Sequence, residues 1–145
     1  MGRGGETLSA SFVVNASVGF SWVYQNQATP ETDKLLGEVA AGSTAVVPAF
    51  WFLEVANILL MAQRRGKLTV ALKKTALTTL ENLNLIVDDE GQRAAFHKTS
   101  DLAEKHGLTI YDAAYLEVAL RRKIPISTRD EALKRAAKQC GVKVL

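Results

Sequence analysis

The sequence predicts an α/β domain, a three-layer α/β/α sandwich around a central parallel sheet of four to five strands. Three observations carry this expectation. Short β-rich runs at 11–14, 44–47, 85–87, 124–127 and 142–145 alternate with helical stretches along the whole chain. No hairpin signal joins neighbouring runs, and parallel neighbours need crossover connections. The 145 residues, 48% of them hydrophobic, suffice for one domain with a real core.

Residues 1–9 are polar and Gly-rich and read as a disordered N-terminal extension or an expression remnant, leaving 10–145 as the domain. The apolar residues behind them are interrupted by Asn15 and Ser17, which argues against a secretory signal. The first strand passes directly into a helix, with Asn15 most simply a turn former and Ser17 a helix cap. Thr29 before Pro30 caps the second helix, and Gly42 ends it.

After the strand at 44–47, Pro48 occupies the favoured first-turn position of a helix over 49–62. That helix is apolar on every side except at Glu54 and Asn57, one turn apart. Such a helix is normally buried on most sides, so its acid and its amide are expected to meet inside the protein or at a pocket floor.

Residues 69–83 form a further helix. Beyond the strand at 85–87, Asp88, Asp89 and Glu90 cap a helix running to His106, and Gly107 separates it from the next. The stretch 108–120 is again helical, with Tyr111 and Tyr115 one turn apart and Asp112 on the same inward stripe as Leu116 and Ala119. After the strand at 124–127, Asp130 caps a helix ending at Cys140, and Thr128 with Glu131 makes a capping box. A short strand closes the chain.

Composition narrows the function. The net charge of +3 is too small to identify a nucleic-acid binder. Eight Lys or Arg lie between 121 and 145, and Arg64, Arg65, Lys67, Lys73 and Lys74 form a second basic group. Solvated helix faces are the ordinary meaning of such runs, and a polyanion held over a cation is the functional one. Cys140, the single cysteine, excludes a disulfide framework and a multi-cysteine metal site. It reads as an apolar filler, since a nucleophile would need a nearby His that the sequence does not suggest. No apolar run is long enough to cross a membrane, and a cytoplasmic location is expected.

The carboxylates say more. Glu54 and Asp112 are inward acids on two separate helices, and two such acids suggest a shared cation. In open parallel sheets ligands gather at the carboxyl ends of the strands, where Asn15 and Asp130 also fall.

The segments Asn15-Ala16-Ser17, Glu54-Val55-Ala56-Asn57, Tyr111-Asp112-Ala113-Ala114-Tyr115 and Thr128-Arg129-Asp130, in this order, resemble the motifs of PIN-domain nucleases. Within that family the chain is most similar to the VapC toxins of bacterial type II toxin–antitoxin pairs, from Phe12 onward. The resemblance implies a Mg²⁺- or Mn²⁺-dependent endoribonuclease with Glu54, Asp112 and Asp130 as metal ligands and catalytic acids. Thr128 would orient an acid or a water, and Arg64, Arg65 and Arg129 would contact RNA phosphates. It also implies a structured, tRNA-like substrate, a cognate antitoxin that covers the cleft, and a homodimer. The apolar excess at Trp51, Phe52, Leu59, Leu60 and Met61 is compatible with a groove for a partner helix or simply with core.

One position departs from the family pattern. Asn15 stands where the family has an Asp, so the site has one negative charge fewer and should hold a hard cation more weakly, although an amide oxygen can still coordinate Mg²⁺. Two origins stay open, a change made to disarm a toxic protein and a natural member with reduced activity. Two rival functions remain: a catalytically dead PIN-fold module that binds RNA or protein, and a nucleotide-binding domain of receiver or Rossmann type. The latter lacks the Gly-rich loop expected after the first strand.

Overall fold

The computed structural model describes residues 10–145; the extension expected over 1–9 lies outside the described residues. The chain runs β1 (Ser11–Val14), α1 (Ala16–Ser21), a 3₁₀ turn (Gln25–Gln27), α2 (Pro30–Ala40), β2 (Thr44–Pro48), α3 (Trp51–Arg64) and α4 (Val70–Glu81). It continues through β3 (Leu85–Asp88), α5 (Gly91–Ala94), α6 (Lys98–His106), α7 (Ile110–Arg122), β4 (Ile126–Ser127) and α8 (Glu131–Gln139). The four strands form one parallel sheet in the order β3-β2-β1-β4, flanked by the helices as the alternating pattern predicts.

Strand β1 is central and wholly apolar on its inner residues. Val13 pairs with Val46 on one side and Ile126 on the other, and Val13, Val14, Ala45 and Val47 have no exposed surface. The chain leaves β1 towards β2 and β3, then returns across the sheet to β4. The order therefore reverses between β1 and β4, and in a parallel sheet the crevice beyond the strand ends opens at such a reversal. Asn15 follows β1 and Thr128 follows β4, and the Asn15 amide N–H bonds the Ser127 carbonyl at 3.0 Å. Among the described residues no helix is long and apolar enough to cross a membrane.

Helix α7 is the centre of the helical packing, with Ala113, Tyr115, Leu116, Val118 and Ala119 buried against β1, β2, β4 and α6. It begins cleanly because Thr109 caps it, accepting the Asp112 amide N–H at 3.1 Å. Gly107, at φ 66°, takes the left-handed conformation that ends α6 one step earlier. Helix α3 packs against α1 through Trp51, and the approach is close. A Cβ on Gly19 would stand 2.5 Å from the Trp51 ring, so only glycine fits there.

Several expectations are corrected. Pro48 closes β2, opposite Asp88, and does not open the helix, which starts at Trp51; a strand end tolerates the missing N–H. Helix α3 is not buried on most sides: Trp51, Val55, Leu59 and Ala62 face the core, whereas Phe52, Leu53 and Asn57 are exposed. Glu54 and Asn57 therefore do not meet inside the protein. The helix expected from 88–90 to His106 is two helices broken at 95–97, since α5 and α6 both dock on α7. The last strand contracts to a single parallel bridge between Val144 and Ile126.

Candidate active site

Four helices deliver the predicted residues by their N-terminal ends. Asn15 is the N-cap of α1, Glu54 lies in the first turn of α3, Asp112 in the first turn of α7, and Asp130 is the N-cap of α8. Helix N-termini carry partial positive charge, which favours an acid at the opening of each helix. Asp130 accepts the Leu133 amide N–H at 2.8 Å, and its own N–H is held by Thr128 Oγ1 at 3.1 Å. Thr128 is thus buried and positions the Asp130 backbone; it makes no capping box with Glu131.

Asp112 occupies the middle of the set. Burial raises the Glu54 pKa above its ordinary value, and the nearby Asp112 charge raises it further, with the Tyr115 hydrogen bond opposing. Burial likewise raises Asp112, and Asp130 adds to it, while the Thr109 hydroxyl opposes. Asp112 therefore interacts with both other acids. Among the described residues, none of the three forms an ion pair with a Lys or Arg. Also among those residues, no three Asp, Glu, His or Cys side chains gather tightly enough to form a ready-made cation cage.

Tyr115 was a motif residue without an assigned role, and the structure supplies one. Its hydroxyl donates to Glu54 Oε1 at 2.6 Å, locking one carboxylate oxygen from a fully buried ring. Burial and then the Glu54 carboxylate push the phenol pKa well up, so Tyr115 remains a donor. Phe50 packs edge-on against both Tyr111 and Tyr115, bracing the same corner.

Asn15 is placed differently from expectation. It is buried, and its Oδ1 accepts from both the Ser17 N–H, at 3.0 Å, and the Ser17 hydroxyl, at 2.8 Å. Asn15, not Ser17, is the cap. Because a backbone N–H can only donate, the amide oxygen must face Ser17, and the other end of the side chain is an NH₂. A carboxylate here could hold Ser17 with one oxygen and offer the second to a cation, whereas asparagine offers a donor. In this orientation the Asn15 oxygen is already engaged by Ser17.

The side chains of the basic candidates have other placements or partners. Arg64 and Arg65 lie at the far end of α3, about 15 Å along its axis from Glu54. Arg129 Nη1 bonds the Ser21 hydroxyl and the Gln27 carbonyl and side-chain oxygens at 2.7–3.0 Å, tying α1 to the 3₁₀ turn. Arg121 and Arg122, counted above in the basic run, are committed to Asp88 and Glu117. No local pattern announces that pairing, because Asp88 is more than thirty residues away.

A cavity of about 280 Å³ is lined by Phe50, Asp88, Ile110, Tyr111, Ala114 and Val118 among others, and none of the three acids contributes to its wall. Ile110 and Tyr111 are largely exposed at its mouth.

The family model described as PIN domain matches residues 12–139. Among solved structures, a protein from Pyrobaculum aerophilum superposes with a TM-score of 0.67 at 20% identity, covering 93% of this chain and 89% of its own. VapBC2 from Rickettsia felis, solved bound to a DNA fragment from its promoter, gives 0.62 at 11% identity, covering 93% and 97%. A toxin–antitoxin complex from Klebsiella pneumoniae gives 0.53 at 16% identity, covering 84% and 87%. No curated protein matches the chain.

Proposed function

The chain belongs to the PIN-domain family, and from that premise we propose that it is a metal-dependent endoribonuclease of the VapC type, weakened or silenced by Asn15. One observation carries the reading. Asp112 interacts electrostatically with both Glu54 and Asp130, Glu54 and Asp112 have raised pKa values, and no Lys or Arg among the described residues pairs with any of the three. Acids held in that way cost stability unless a ligand supplies positive charge.

The donors are hard oxygens, which suit Mg²⁺ or Mn²⁺. Glu54, Asp112 and Asp130 would hold the ion, with Asn15 as a compromised fourth position. An ion held by these residues would supply charge to neutralise the non-bridging oxygens of a phosphodiester and would lower the pKa of a water. The chain's own residues prepare for this. Tyr115 orients Glu54 through its hydroxyl, Thr109 steadies the turn that carries Asp112, and Thr128 steadies Asp130. The buried Tyr115 ring, braced edge-on by Phe50, lowers the local dielectric on the Glu54 side and strengthens its charge.

Structured RNA such as tRNA is the proposed substrate, in a cytoplasmic setting. A cognate antitoxin and a second copy are the proposed partners. Two solved neighbours come from toxin–antitoxin systems, and Phe52, Leu53, Ile110 and Tyr111 leave apolar surface beside the acids. The orientation of Asn15 favours a second reading for this exact sequence, a PIN-fold module that binds RNA or a partner without cleaving.

Asn15→Asp decides between them. The variant should bind Mn²⁺ about tenfold more tightly by calorimetry, roughly 1.4 kcal/mol, and should cleave tRNA in a reaction stopped by EDTA or by a further Asp112→Ala change. Unchanged Mn²⁺ affinity together with intact RNA would leave the non-catalytic module as the answer.

A further inference from the structure

Cys140 has the histidine that its sequence neighbourhood lacks. Its Sγ lies 3.4 Å from Nε2 of His106, brought from 34 residues earlier by the packing of α6, α7 and α8. The other ring nitrogen, Nδ1, lies 3.1 Å from Oε1 of Gln139. A carboxamide oxygen only accepts, so Nδ1 carries the ring proton and Nε2 is left as the acceptor facing the thiol. Nucleophile, base and orienting group thus stand in sequence, the arrangement that activates a cysteine.

The surroundings are those of a reactive thiol, not of an inert core cysteine. Cys140 and His106 are both part-exposed and line a cleft of about 360 Å³. Lys98 and Lys105 border the same cleft against the single acid Asp101, so it favours a reagent that carries carboxylates. The cleft is at the C-terminal end of α8, whereas Asp130 caps the N-terminal end about 14 Å away along the axis.

We propose that Cys140 is a covalent modification site that exchanges with carboxylate-bearing low-molecular-weight disulfides, of which oxidised glutathione is the test case. The thiol proton passes to Nε2 of His106, and the thiolate attacks one sulfur of the disulfide. The S–S bond breaks, a mixed disulfide forms on Cys140, and the departing thiolate takes the proton back from His106. One disulfide is consumed and one is made, so no outside oxidant is required.

Because this is the only cysteine, every adduct reports on it. The folded chain and the same chain in urea are incubated at pH 7 with oxidised glutathione or with cystamine, and adduct formation is followed by intact mass. The folded form should react with oxidised glutathione about tenfold faster than the unfolded form, and faster than with cystamine. His106→Ala should fall to the unfolded rate, and Gln139→Ala should fall several-fold. Circular dichroism confirms folding, and if His106→Ala is unfolded, Gln139→Ala on the helix surface carries the test. A folded rate no higher than the unfolded one, rates unchanged in the folded variants, or a preference for cystamine would overturn the proposal.

Discussion

Two groups of acids sit at opposite ends of helix α7, and the protein treats them in opposite ways. At the C-terminal end, Asp88 has no exposed side-chain surface, yet it accepts from Arg121 at 2.8 and 2.9 Å, from Arg122 at 2.9 Å and from the Gly91 N–H at 2.9 Å. Burial pushes its pKa up, but those bonds outweigh burial and hold it down at about 2. Glu117, one turn before Arg121, completes the knot at 2.8 Å. At the N-terminal end, Glu54 and Asp112 are partly buried beside one another, and their pKa values rise. An acid with a structural task carries its own cation. The rim acids carry none among the described residues, and that contrast separates a scaffold from a site.

The largest effect should come from breaking the scaffold. Arg121→Ala leaves Asp88 and Glu117 short of their principal cation and should cost about 3 kcal/mol in urea unfolding. Because the folded pKa of Asp88 lies below its ordinary 3.8, its stabilising contribution is complete above that pH and is lost as pH falls through about 2. The wild-type acid limb should therefore be steeper than that of Arg121→Ala. A loss below about 1 kcal/mol would mean that Arg122 alone suffices.

The rim should answer with the opposite sign. A carboxyl whose folded pKa is raised destabilises the fold as it ionises, so Asp112→Asn in metal-free buffer should raise Tm at pH 7 by roughly 3 °C. At pH 3, where the wild-type carboxyl is protonated in both states, the gain should vanish. A decrease at pH 7 would show Asp112 to be a scaffold residue after all. The smallest effect belongs to Asn57, which the motif includes but which the structure leaves exposed one turn beyond Glu54. Asn57→Ala should change stability by less than about 0.5 kcal/mol and should leave Mn²⁺ binding of the Asn15→Asp form unchanged by calorimetry.

Much of this molecule is written locally. The alternation of β-rich and helical runs, the Thr29, Thr69, Thr109 and Asp130 caps and the stop at Gly107 depend on residues within one turn of each other, so the order of elements can be read along the chain. The spacing of Glu54, Asp112 and Asp130 was legible too, because each opens a helix that follows a recognisable boundary. Tertiary structure decided the rest. It placed Pro48 at a strand end, broke the helix at 95–97 to seat two pieces on α7, reduced the last strand to one bridge and left half of α3 exposed. It also bound Arg121 and Arg122 to Asp88 and brought His106 to Cys140. It fixed the Asn15 amide with its oxygen towards Ser17. Periodicity and capping are chemistry between near neighbours, whereas burial, ion pairing and the facing of a side chain depend on groups tens of residues distant, whose arrival only the folded packing determines.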